Sequence, residues 1–160
     1  MAVIEKRRKM EAAMVNPFVE GALYILDTTA SVKVLPGKPF LKKKREALGD
    51  ISGILEISGD LPGSASVSFT EQSILGIVSA MFGEEMTKMD EEITDAVGEI
   101  CNMISGHVTT KIVEMGKTVK VKLSEVKAGK NHKIDHAHGK RVLVLPFKTT
   151  KGSVVVEVSY

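Results

Sequence analysis

The sequence has one cysteine, Cys101, among its 160 residues. A lone thiol closes no internal disulfide, which suits a reducing compartment. Excess charge of either sign is also missing: 22 Lys and Arg face 20 Asp and Glu, a formal charge of +2. That balance is too even to point by itself to nucleic acid or a membrane surface. Nor does a long apolar run open the chain, because charges interrupt "MAVIEKRRKMEAAM"; the segment is read as neither signal peptide nor membrane span. A cytoplasmic protein without nucleic-acid or membrane partners is expected. The length fits one compact domain, residues 1–160, with a sizeable core.

Periodicity divides the chain into elements. Residues 16–30 place Phe18, Ala22, Ile25 and Leu26 at helical spacing, with Asn16 as expected N-cap and Pro17 at the first helical position. "SVKVL" is expected as a strand, followed by the turn "PGKP" and the basic extended run "FLKKKREAL"; "ISGILEI" and the alternating "GSASVSF" are further strands. Thr70 caps a helix whose Ile74, Ile77, Val78 and Met81 share a face and which Gly83 ends. After the polar linker "GEEMTKMD", Asp90 begins the longest helix, with Glu91 and Glu92 in its first turn, where the helix dipole favours acids. "TVKVKL", "RVLVLPF" and "SVVVEV" follow as strands. Helix and three strands, a connecting helix, then helix and three strands again form a duplication by order. The expected fold is α+β, two long helices plus a shorter one on a mainly antiparallel sheet, with a pseudo-twofold axis.

The long helix has two unlike faces. At about 100° per residue, Ile93, Ala96, Val97, Ile100, Met103, Ile104, His107 and Val108 gather on a core side. The other side collects Asp95, Gly98, Glu99, Asn102, Ser105, Gly106 and Thr109, without Lys or Arg. A solvent face would ordinarily mix long side chains of both signs. Gly98 and Gly106 each cost about 1 kcal/mol against alanine in a helix interior. They either clear the surface around Glu99 and Asn102 for something to approach, or let another helix of the same protein pack tightly, with Asn102 satisfied internally.

Asp95, Glu99 and Asn102, spaced by three and two intervening residues in a helix after an acidic linker, resemble the signature of the CheC, CheX and FliY family of chemotaxis phosphatases. The early "PGKPFL", the element order and the closing "VLVLPF" and "GSVVVEVS" are also similar, and the likeness is greatest to the CheX branch. The resemblance implies a phosphatase acting on a phosphorylated CheY-like response regulator, with Glu99 and Asn102 as the active pair and Asp95, Gly98, Ser105 and Gly106 around them receiving the partner. It implies no cofactor of the chain's own, with Mg2+ on the regulator. Glu20 in the first helix is followed by Leu23 rather than Asn, so one site per chain is expected, and with it a CheX-like homodimer. One departure stands out: the family pattern has a proline twenty-three positions past the Asn, where this sequence has Glu125.

An aspartyl phosphate needs a water held in line with its breaking P–O bond, and a carboxamide both donates and accepts hydrogen bonds, so Asn102 suits that task. A carboxylate beside a dianionic phosphoryl group would repel it, which favours docking over general-base work for Glu99; by resemblance its contact is a lysine of the partner. Asp95 either steers a basic rim of the partner or solvates the helix. The rival reading is a non-catalytic module binding a signalling or flagellar-switch partner.

Other clusters have plainer readings. His132, Asp135, His136 and His138 lie within seven residues, but no standard zinc spacing is present, and a hairpin loop without metal is expected. "KKKR" at 42–45 lacks interleaved aromatics and is read as a lysine-guarded strand edge. His107 is expected as a hydrogen-bonded core histidine and Cys101 as a buried thiol.

Overall fold

The computed structural model describes residues 2–136 and 141–160, with backbone alone for residues 6–11. Three helices, α1 (Ala2–Ala30), α2 (Glu71–Phe82) and α3 (Glu91–Glu114), accompany seven strands. The strands are β1 (Val34–Pro36), β2 (Phe40–Leu41), β3 (Ile51–Gly59), β4 (Gly63–Phe69), β5 (Val119–Ala128), β6 (Val142–Thr149) and β7 (Gly152–Ser159). The first helix departs from expectation: it starts at Ala2, so Asn16 caps nothing and Pro17 lies inside it. Residues 2–14 are mostly strong helix formers, and Pro17, lacking an N–H, removes one hydrogen bond without ending the helix.

The other expected termini are present. Thr70 Oγ1 accepts from the Ser73 N–H and Gly83 closes α2 in the left-handed region at φ 69°. Asp90 accepts from the Ile93 N–H to start α3.

All ladders are antiparallel, in the order β1-β6-β7-β4-β3-β5, with β2 pairing β6 as well. That order carries the duplication. Each half-chain contributes a central pair, β3–β4 or β6–β7, and sends its first strand to the far edge beside the other half's pair. An axis between β4 and β7 exchanges the halves. Pro36 and Pro39 interrupt the β1–β2 edge, and Lys120, Lys122 and Lys127 line the β5 edge, so both discourage unplanned strand pairing.

The helices cover one sheet face. Phe18, Leu26, Ile74, Ile77, Ile93, Ile100 and Ile104 pack there against Leu55, Val67, Phe69, Val154 and Val156. The opposite face carries the alternating serines, and these are buried too: Ser52, Ser64, Ser66 and Ser68 are at most 3% exposed. Two irregular segments lie over them, joined through Ala47 N–H to His132 O and Ile134 N–H to Arg45 O. No helix among the described residues is long and apolar enough to cross a membrane.

Candidate functional site

Asp95, Glu99, Asn102 and Gly106 are all exposed on α3. Steps of four, three and four residues keep them on one stripe of the helix. Beneath the stripe α3 sits tightly on the sheet: a Cβ at Gly53 of β3 would stand 2.3 Å from Cys101 Sγ. Only glycine admits the helix at that height, so the residue preceding Asn102 is seated against backbone. Burial pushes the Cys101 thiol up to about 12, which keeps it neutral and disqualifies it as a nucleophile.

The residues expected around the pair divide by depth. Gly98 is buried, and a Cβ there would meet Leu123 Cδ2 at 3.4 Å. Ser105 is 5% exposed and its hydroxyl donates to Cys101 O at 2.8 Å. Asp95 and Gly106 are at the surface, and nothing lies within 4 Å of a Cβ built at Gly106. Gly106→Leu is therefore expected to fold at least as well as the parent, because leucine is the better helix former, while weakening a partner that lands beside Asn102. Thermal melts together with affinity for a phosphorylated regulator check this; a variant that melts early would show that Gly106 serves internal packing.

Beside the stripe lies a groove of about 520 Å³, lined by Phe82, Glu84, Glu92, Asp95, Ala96 and Glu99. Four carboxylates line it without a Lys or Arg, and Phe82 is 47% exposed at its edge. A cationic group approaching Glu99 meets a favourable field here. Phe82 and Glu84 were not singled out from sequence; the only local hint is the acidic "GEEM" after α2.

His107 differs from expectation. It is half-buried, its ring lies 5.3 Å from that of Tyr24, and its Nε2 is buried with no hydrogen-bond partner among the described residues. Glu125, at the place of the family's proline, is exposed in β5 at a β-bulge: Ile54 pairs with Glu125 and Leu55 with Leu123, leaving Ser124 extra. The departure therefore falls within a strand, where a bulge absorbs irregularity.

The histidine-rich segment turns to separate partners. His132 Nε2 meets Ser52 Oγ at 2.7 Å, Asp135 pairs with Arg45, and His138 lies outside the described residues. The Arg45 guanidinium beside Asp135 holds its carboxyl below the usual range. His136 Nδ1 meets Ser64 Oγ at 2.7 Å and its Nε2 meets Glu157 Oε1 at 3.0 Å. Lys42 Nζ donates to Glu157 Oε1 at 2.9 Å and is equally close to Oε2, which receives no well-directed hydrogen bond. Lys42 is thus no exposed edge guard; its side chain is 7% exposed. Although Ser64, His136 and Glu157 form a serine–histidine–carboxylate chain, Ser64 is only 3% exposed, which leaves a substrate no approach to its hydroxyl.

Comparison with known proteins adds to this geometry. The family model "Chemotaxis phosphatase CheX" matches residues 51–148, from β3 into β6. The CheY-P phosphatase CheX of Thermotoga maritima is 29% identical over 126 residues, 78% of this chain and 81% of the relative. A crystal structure of the chemotaxis protein CheX from Desulfovibrio desulfuricans is 38% identical with a TM-score of 0.82, covering 91% of this chain and 97% of that one. A chain of the CheX–CheY–BeF3–Mg2+ complex from Borrelia burgdorferi has a TM-score of 0.76 at 23% identity, covering 91% of this chain and 96% of that one; at that identity the likeness is one of fold.

Proposed function

Because the chain belongs to the CheX family of chemotaxis phosphatases, we propose that it hydrolyses the aspartyl phosphate of a CheY-like response regulator, with Asn102 orienting the water and Glu99 docking the partner. The observation that carries this reading is the exposed stripe on α3, where the two side chains project together from a helix seated firmly on the sheet. The names of the Thermotoga relative and the Borrelia complex support the choice of partner.

In the bound state the Asn102 carboxamide holds a water by one of its atoms and faces the phosphoryl oxygens with the other. The water attacks phosphorus as the bond to the aspartyl oxygen breaks, giving free phosphate and the regenerated carboxylate. Asn102 takes no proton. The catalytic gain is positional, as with the glutamine of GTPases. Glu99 adds its charge to the neighbouring acidic groove and meets a cationic side chain of the regulator, fixing the angle at which Asn102 enters. Mg2+ belongs to the regulator, since Glu99 and Asn102 alone make no closed coordination set.

Timing phosphate loss from a phosphorylated CheY-like protein mixed with this chain tests the reading; tight binding without accelerated loss would replace it with the non-catalytic module. Glu99→Ala is expected to weaken both binding and turnover, and by less as rising salt screens the contact. Glu99→Gln separates roles, because a general base would be abolished by it whereas a docking contact keeps part of its strength.

One stripe per chain also favours a homodimer in which each protomer brings its own site. Sedimentation at micromolar concentration is expected to give about twice 17.3 kDa, and a clean monomer would refute it.

A further inference from the structure

On the sheet face opposite α3, the segments 42–45 and 134–136 border an open groove of about 270 Å³, lined by Lys42, Lys43, Lys44, Arg45, Asp135, His136 and two apolar side chains. Its floor is the buried network already described, in which Lys42 and His136 hold Glu157. Lys43 and Lys44 are exposed, with no ion pair among the described residues.

The charge balance is one-sided. Among the described residues four cationic side chains at the groove stand against Asp135 and the underlying Glu157, so two positive charges lack a counterpart there. Arg45 is committed to Asp135 and Lys42 to Glu157, which leaves Lys43 and Lys44 as the groove's ammonium groups with no acidic partner among the described residues. The volume falls below the range of about 300–1,000 Å³ typical of pockets for drug-sized ligands. An ion with little else attached fits.

From this geometry we infer an oxyanion-binding site, for inorganic phosphate or a single phosphoryl group on a small molecule, held by Lys43 and Lys44 above the Lys42–His136–Glu157 floor. A dianion matches the uncompensated charge, and charge-assisted hydrogen bonds from ammonium groups are among the stronger available at a surface. The chain's even net charge conceals the site, because the balancing acids cluster instead at the α3 end. The inference does not depend on how α3 acts.

Amide NMR of the full chain, titrated with sodium phosphate or separately with phosphoserine while chloride keeps ionic strength constant, tests it. Saturating shifts confined to residues 42–45 and 134–136, with half-saturation on the order of 1 mM, are expected from at least one of the two. Saturation by phosphate assigns the free ion, and saturation by phosphoserine alone assigns a substituted phosphoryl group. Lys43→Glu with Lys44→Glu should raise the half-saturation point by about tenfold or more. Lys120→Glu with Lys122→Glu, an equal charge change on the β5 edge, should leave it within about twofold. Both pairs are on exposed positions, and thermal melts confirm folding. Shifts that rise without saturating, that spread over surface lysines generally, or that both double variants diminish equally would overturn the site.

Discussion

Replacing Asn102 by alanine is expected to slow hydrolysis of a phosphorylated CheY-like regulator by about a hundredfold, the scale on which removal of one preorganised polar group at a reacting centre is felt. Affinity should largely survive. Water positioning is needed chiefly in the transition state, so its loss falls on turnover and not on the ground-state complex. Stability should be unchanged, because Asn102 is exposed and makes no side-chain hydrogen bond among the described residues. Single-turnover phosphate release at saturating enzyme, beside a binding isotherm with a stable phosphoryl mimic, separates the two quantities. Full hydrolytic activity in a folded Asn102→Ala variant would defeat the proposed division of labour between Asn102 and Glu99.

Glu157→Ala is expected to be the most destabilising of the substitutions considered, by about 3–5 kcal/mol, the cost of breaking a buried ion pair from one side. Glu157 is fully buried and is held by Lys42 and His136, whose side chains are 7% and 3% exposed. Removing the carboxylate strands a buried ammonium, which must either lose its proton or pull its segment off the sheet. Since a domain's whole stability is about 5–15 kcal/mol, such a loss is plain in urea unfolding. Combining Glu157→Leu with Lys42→Met should recover part of it, because no ammonium is then left buried and unpaired, while His136 Nε2 still loses its carboxylate partner. A cost below about 1 kcal/mol for Glu157→Ala would mean that the network contributes little to holding the covering segments.

Helix α3, with its N-cap at Asp90, and the stripe Asp95, Glu99 and Asn102 were legible because they depend on spacing within one helix, which periodicity reports directly. The strands other than β2, and their repeated order along the chain, were legible from period-two alternation, whereas β2 at Phe40–Leu41 lies in what reads only as a basic extended run. The start of α1 was not: Asn16-Pro17 has the form of a helix entry, yet residues 2–14 propagate helix into it from the N-terminal side.

Depth was beyond local pattern as well. Period-two alternation in "GSASVSF" says that β4 has two unlike faces, but not that segments 42–47 and 132–136 seal the serine face from water. Gly98 and Ser105 share an arc with Asn102 on a helical projection, yet the seat of α3 on β3 and β5 draws both beneath the surface. Sequence alone thus determined which residues share a helix face or alternate along a strand, because those relations are set by backbone geometry within a few residues. Only the tertiary structure decided what covers each face. Lys42, His136 and Glu157 meet across as many as 115 positions of chain, and such a meeting is fixed by sheet order and segment packing, which no local periodicity encodes.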